Sequence, residues 1–217
     1  MRLILVRHPR PLGSDGLCYG RADLDVDRRE LDQAVWHLDQ VLPAEIDQIV
    51  SSPLSRCRLV AAGLAAARDR PAPLPTAPWI CPATSPITTH PLADRLTVEL
   101  DERLTELDFG DWESRRWDDI DAGDLNAWSQ AYDRQPPPGG ESWNQMRERV
   151  SDFLDQCRRR DSATVVAVTH SGVIRATLAQ ILDLTLTAMW RIDLPFEVMA
   201  EVRLADQGDQ LLGLRAR

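Results

Sequence analysis

The 217-residue sequence contains no lysine: all 25 of its basic residues are arginine. That absence excludes a Schiff-base lysine, a lysine nucleophile and the lysine of a phosphate-binding P-loop. Any cation offered to a ligand is therefore a guanidinium, a planar fork suited to phosphate or carboxylate. Codon bias accounts for most of the surface arginines. Cysteine is scarce too. Cys18, Cys57, Cys81 and Cys157 are widely spread and form no CxxC pair, so a zinc or redox motif is not expected and the thiols read as reduced. No long apolar run exists. Residues 3–6 are apolar, but Arg7 and His8 stop them far short of a signal peptide or a membrane span. Positive charge is in deficit, with a net charge of −9, which argues against a nucleic-acid surface. A small phosphorylated substrate stays compatible, because a pocket can be positive inside an acidic protein.

Strands and helices alternate along the chain. Leu3–Val6, residues 46–50 and the run TVVAVT at 164–169 read as short buried strands. Residues 197–204 and 210–214 read as closing strands. Residues 28–42 carry an apolar helical stripe, and a second helix is expected to about Arg68, with Ser52 as its N-cap and Pro53 at its first position. Ser142 caps another helix whose stripe is Trp143, Met146, Val150, Phe153, Leu154 and Cys157, with Arg158, Arg159 and Arg160 as a solvated end. A further helix follows Gly172. The pattern implies an α/β fold, a three-layer α/β/α sandwich with a mostly parallel sheet. One domain is expected over 1–217, with a helical lid or insert at about 95–142 and a proline-rich excursion at 71–91. That excursion holds seven prolines, a density that no regular helix or central strand survives. Four tryptophans, Trp112, Trp117, Trp128 and Trp143, fall at 112–143 and are read first as packing between lid and body.

In open α/β sheets, ligands bind beyond the carboxyl ends of the strands. Three strand ends lead there to Arg7-His8, to Ser51-Ser52-Pro53 and on to Arg56, and to His170-Ser171-Gly172. Two of only four histidines and two arginines are thus expected at one rim, with helix N-termini adding N–H donors for an anion. Guanidinium forks suit a phosphoryl group, and a neutral imidazole attacks phosphorus near pH 7. The set still needs an acid for the leaving alkoxide, and Glu106, Asp108, Glu102 and Glu113 all compete for that role. Arg58 competes with Arg56, and Arg21 is either a substrate contact or a loop ion pair. His37 and His90 read as non-catalytic.

Arg7-His8-Pro9, Ser51 to Arg56, Leu104 to Glu113 and Val168 to Gly172, in that order, resemble the histidine phosphatase superfamily, in its phosphoglycerate mutase-like branch. Within it, Arg7-His8-Pro9, Leu17 to Asp23 and Phe109 to Glu113 are most similar to the α-ribazole-5′-phosphate phosphatases of cobalamin synthesis. The resemblance implies a metal-independent phosphomonoesterase with no cofactor. His8 would become the phosphohistidine, Arg7, Arg56 and His170 would form the phosphate pocket, and Glu106 would donate the proton. It further implies substrate contacts from Tyr19, Gly20, Arg21 and Ser171. A cytoplasmic enzyme acting on a small phosphorylated substrate, without nucleic-acid or membrane partners, is the expectation. Ser171 and Val60 depart from the residues usual in the family, and the 71–91 segment is longer. Two alternatives remain: a mutase-type phosphotransferase, and a non-catalytic phospholigand-binding protein on the same scaffold.

Overall fold

The computed structural model describes residues 1–69 and 96–216, so the proline-rich excursion, His90 and Cys81 lie outside the described residues. Six strands form one sheet: β1 (Arg2–Arg7), β2 (Gln48–Ser51), β3 (Val98–Leu100), β4 (Thr164–Thr169), β5 (Met199–Arg203) and β6 (Gln210–Arg215). Their order is β3-β2-β4-β1-β5-β6. The first four are parallel, and β5 and β6 add an antiparallel edge. The expected α/β sandwich is therefore present, with both closing strands.

The continuous apolar runs of β1 and β4 are explained by burial on both faces. Leu3, Leu5, Val165 and Ala167 enter one core with α4 (Trp143–Arg158) and α5 (Ser171–Ile181). Ile4, Val6, Val166 and Val168 alternate into a second core with α1 (Arg28–Val41) and α2 (Ser55–Arg68). Helices cover each face, as parallel pairing requires. α4 carries the expected stripe, with all six predicted residues buried. Ser142 and Gln145 close a reciprocal capping box at its start. The arginines at its end are ion-paired as well as solvated: Arg158 meets Asp155 and Asp209, and Arg160 meets Glu99.

The start of α2 differs from expectation. The helix begins at Ser55, with Leu54 as N-cap and no side-chain cap of its own. Asp23 performs that task from a distant loop, accepting from the Ser55 N–H at 2.7 Å and its hydroxyl at 2.8 Å. A carboxylate there also suits the positive end of the helix dipole. Ser52 is thereby left for the site.

Residues 101–142 are less helical than predicted. Three single 3-10 turns, Glu102–Leu104, Gly110–Trp112 and Trp117–Asp119, precede the eight-residue α3 (Ala122–Ser129). A short α6 (Leu186–Met189) follows α5. No helix among the described residues is long and apolar enough to cross a membrane.

Candidate active site

Strand register assembles the site. Arg7 of β1 lies opposite Thr169 of β4, and Ser51 of β2 opposite Val168 of β4. The three carboxyl ends are therefore adjacent. Pairing continues one step beyond them, from His8 N–H to the Thr169 carbonyl at 3.1 Å and from Ser52 N–H to the Val168 carbonyl at 2.9 Å. His8, Ser52 and His170 consequently leave the sheet side by side. The rings of His8 and His170 stand 5.0 Å apart, edge to face.

His8 is buried, and its Nδ1 lies 2.7 Å from the Pro9 carbonyl oxygen. A carbonyl can only accept, so Nδ1 carries the proton and Nε2 keeps its lone pair. Burial is the main reason the His8 pKa falls well below the ordinary 6.5. The Arg56 and Arg7 guanidinium groups push it the same way, while the Pro9 bond opposes them. His170 is fully buried, pairs through Nε2 with Ser52 Oγ at 2.9 Å, and has Cys57 Sγ at 3.4 Å from the same atom. Its pKa is also well below 6.5, through burial first and then His8 and Arg56. Both rings are neutral at pH 7 before any anion arrives. The Cys57 thiol donates to the Thr169 carbonyl, and burial pushes its pKa up, so it is no competing nucleophile.

Arg7 stacks over Phe196, with its guanidinium carbon 3.9 Å from the ring centre, and bonds the Leu194 carbonyl. Arg56 is completely buried. It donates to the carbonyls of Ala22 and Gly20, and its Nε has no partner. Neither arginine pairs with a carboxylate among the described residues. Such forks, held by carbonyls and leaving N–H groups over, suit an incoming anion. Arg58 points elsewhere, to the Ser55 hydroxyl, from an exposed position.

Glu106 separates from Asp108 and Glu113 by its contacts. One carboxylate oxygen accepts from the Leu107 N–H at 3.0 Å. The other accepts from the Ser171 hydroxyl at 3.2 Å and the Gly172 N–H at 3.1 Å, capping α5 from outside. A Cβ at Gly172 would sit 2.0 Å from Glu106 Oε1, so only glycine admits the carboxylate there. Asp108 instead accepts from the Gly110 N–H and faces Arg21 at 3.5 Å. Glu113 is occupied by four backbone N–H groups, those of Gly20, Arg21, Ala22 and Phe109. Arg149 secures the backbone that carries Glu106, donating to the carbonyls of Arg103, Thr105 and Glu106 and pairing with Glu141.

His8, Arg7 and Glu106 open into a cavity of about 250 Å³, while Arg56 and His170 are fully buried outside its lining. Arg7, His8, Glu106, Ser171 and Gly172 form its polar end. Its walls are aromatic: Tyr19, Phe109, Trp117, Trp128, Tyr132, Trp143 and Trp190. Trp117, Trp128 and Trp143 therefore line the cavity, whereas Trp112 is buried behind them against Trp128. Of the four residues expected to contact substrate, Tyr19 and Ser171 line the cavity, while Gly20 and Arg21 lie outside its lining. Gly20 is instead pressed against the Leu107 carbonyl, where a Cβ would approach to 1.7 Å. Sequence reasoning missed Arg175. It stands one helical turn beyond Ser171 on α5, lines the cavity, donates to the carbonyls of Met189 and Ile192, and stacks 4.4 Å from the Trp190 ring centre. The spacing of four from Ser171 was the available signal. No group of three or more metal-capable side chains exists among the described residues.

The adenosylcobalamin/alpha-ribazole phosphatase of Escherichia coli (strain K12) is 26% identical over 201 residues, spanning 89% of this chain and 86% of that protein. Phosphoserine phosphatase 1 of Hydrogenobacter thermophilus is 27% identical, over 88% of this chain and 80% of its own. Among solved structures, the alpha-ribazole phosphatase from Shigella flexneri superposes with a TM-score of 0.79 at 23% identity, covering 100% of this chain and 96% of that one, a likeness of fold. The family model for the histidine phosphatase superfamily (branch 1) matches residues 3–78 and 86–216, and the chain belongs to that superfamily.

Proposed function

We propose that the chain is a phosphomonoesterase that hydrolyses a small phosphorylated metabolite through a phosphohistidine on His8. The observation that carries the reading is the His8 tautomer. With Nδ1 donating to Pro9, the unprotonated Nε2 is left for attack, in a cavity that Glu106 also lines. The substrate phosphoryl group would lie against Arg7, Arg56 and His170, whose N–H groups meet its non-bridging oxygens.

In the first step Nε2 attacks phosphorus in line. The N–P bond forms, the bond to the leaving oxygen breaks, and Glu106 gives that oxygen a proton. In the second step Glu106 takes a proton from water, the water oxygen bonds phosphorus as the Nε2–P bond breaks, and inorganic phosphate leaves with His8 again neutral. No protein group changes oxidation state. Arginine charge meets the phosphoryl charge throughout, so EDTA is expected to leave turnover unchanged; a metal requirement would contradict this reading.

The aromatic walls support a large, flat leaving group, and α-ribazole 5′-phosphate is the substrate we assign first. Relatives carrying that name support the choice. The test is hydrolysis of p-nitrophenyl phosphate and of α-ribazole 5′-phosphate by the wild type and by His8→Ala. Loss of one oriented electrostatic contact typically costs ~10²–10³ in rate. Removal of the nucleophile itself is expected to abolish both activities. Undiminished turnover in His8→Ala would overturn the mechanism.

A further inference from the structure

Glu113 looks at first like a spare acid, since it lies within the motif that supplies Glu106. Its surroundings give it another task. In a chain with 25 arginines it forms no ion pair among the described residues. Its two oxygens instead accept from three consecutive N–H groups, those of Gly20, Arg21 and Ala22, and from that of Phe109, at 2.9–3.1 Å. Successive donors turned inward form an anion-binding concavity, and here the anion is a side chain of the same protein.

The other side of that loop faces Arg56. The carbonyls of Gly20 and Ala22, the residues whose N–H groups Glu113 holds, accept from the two terminal nitrogens of Arg56. Arg56 has no carboxylate partner among the described residues, so these carbonyls fix its plane. The loop has little freedom of its own. Gly20 already touches the Leu107 carbonyl, and residues 16–18 are bonded to 114–117 through Ser114 N–H to the Cys18 carbonyl and Trp117 N–H to the Gly16 carbonyl.

We infer that Glu113 is a positioning residue for phosphate binding: it sets the 20–22 loop, and the loop's carbonyls aim the Arg56 guanidinium at the phosphoryl group. The inference rests on the proposed reading in that Arg56 faces the phosphoryl group. A misplacement of about 1 Å in such a group costs on the order of 10²-fold. Glu113→Gln keeps the shape but turns an N–H₂ toward donors that need an acceptor.

The test is a double-mutant cycle read in the inhibition constant of inorganic phosphate, with p-nitrophenyl phosphate as reporter substrate. Glu113→Gln is expected to weaken phosphate roughly 10- to 100-fold. In an Arg56→Lys background, which has lost the fork, the same change is expected to add about twofold or less, because the two residues act in series. Glu113→Asp keeps the charge but withdraws it by one methylene. It is expected to weaken phosphate in the same direction, and it serves where the glutamine variant does not fold. An undiminished effect of Glu113→Gln in the Arg56→Lys background would overturn the inference, because a purely structural role adds independently. Phosphate binding unchanged in both Glu113 variants would overturn it as well. If Arg56→Lys alone leaves phosphate binding intact, the phosphate pocket itself is wrong, and that failure is read separately.

Discussion

At the scale of single residues, the site depends on which atoms are already occupied. Four acidic residues compete in the sequence for one proton-transfer role, and hydrogen bonds sort three of them. Glu113 is consumed by backbone donors and Asp108 by a turn and Arg21, while Glu106 lines the cavity. Gly172 is the residue that keeps it there. Gly172→Ala would drive a Cβ onto Glu106 Oε1 and onto Met146 Cε at 2.8 Å. We expect kcat to fall roughly 10²-fold, with a much smaller change in phosphate inhibition. Equal losses in both would mean that the substitution disturbs the whole rim and not the acid. His8, His170 and Arg7 could be placed at the rim from the sequence because each stands at or next to a strand end, and Arg56 because it falls in the first turn of the helix after β2. Glu113 and Asp23 could not, because their roles are contacts across 93 and 32 residues that no local pattern encodes.

Helices and strands position these residues through their ends more than through their faces. Two helices that open onto the rim lack caps of their own, and each borrows a distant carboxylate, Asp23 for α2 and Glu106 for α5. This is why Ser52 failed as a cap. The expected pattern of Ser followed by Pro is present, but the chain turns once more before the helix begins, and the Ser52 hydroxyl pairs with His170 while accepting only the Leu54 N–H, at 3.4 Å. α4 shows the opposite case, where a local motif decides the outcome. Its capping box joins Ser142 Oγ to Gln145 N–H and Gln145 Oε1 to Ser142 N–H. Ser142→Ala is expected to lower unfolding free energy by about 1 kcal/mol, read as a shift in urea midpoint at constant slope. An unchanged midpoint would show that tertiary packing alone holds that helix end. The segment 101–142 was the least legible element. Its tryptophans read from the sequence first as packing, and three of the four in it and beside it line the cavity. Aromatic residues serve both purposes with the same sequence signature.

For the whole molecule, the placement of two neutral histidines at the buried rim makes stability depend on pH. Each has a folded-state pKa well below 6.5, through burial and neighbouring arginines. Between those lowered values and 6.5 the unfolded chain binds more protons than the folded one. Stability is therefore fully present above about pH 6.5 and is lost as pH falls through the window beneath it. Thermal melts from pH 7.5 to 5.0 are expected to show a declining midpoint, with a shallower decline in His8→Asn and His170→Asn. A wild-type midpoint that is flat across that range would contradict neutral, buried imidazoles. The absence of lysine takes on meaning at this scale too. The net charge of −9 belongs to the surface, while Arg7, Arg56 and Arg175 gather at or beside one cavity with no ion-pair carboxylate among the described residues.

The central claim, covalent transfer to His8, is tested most directly by rapid quench of the wild type with a ³²P-labelled phosphomonoester. The account predicts a protein-bound label that is acid-labile and base-stable, that maps to His8, and that is absent from His8→Ala. Turnover without label at any quench time, or a label mapping to another residue, would contradict it.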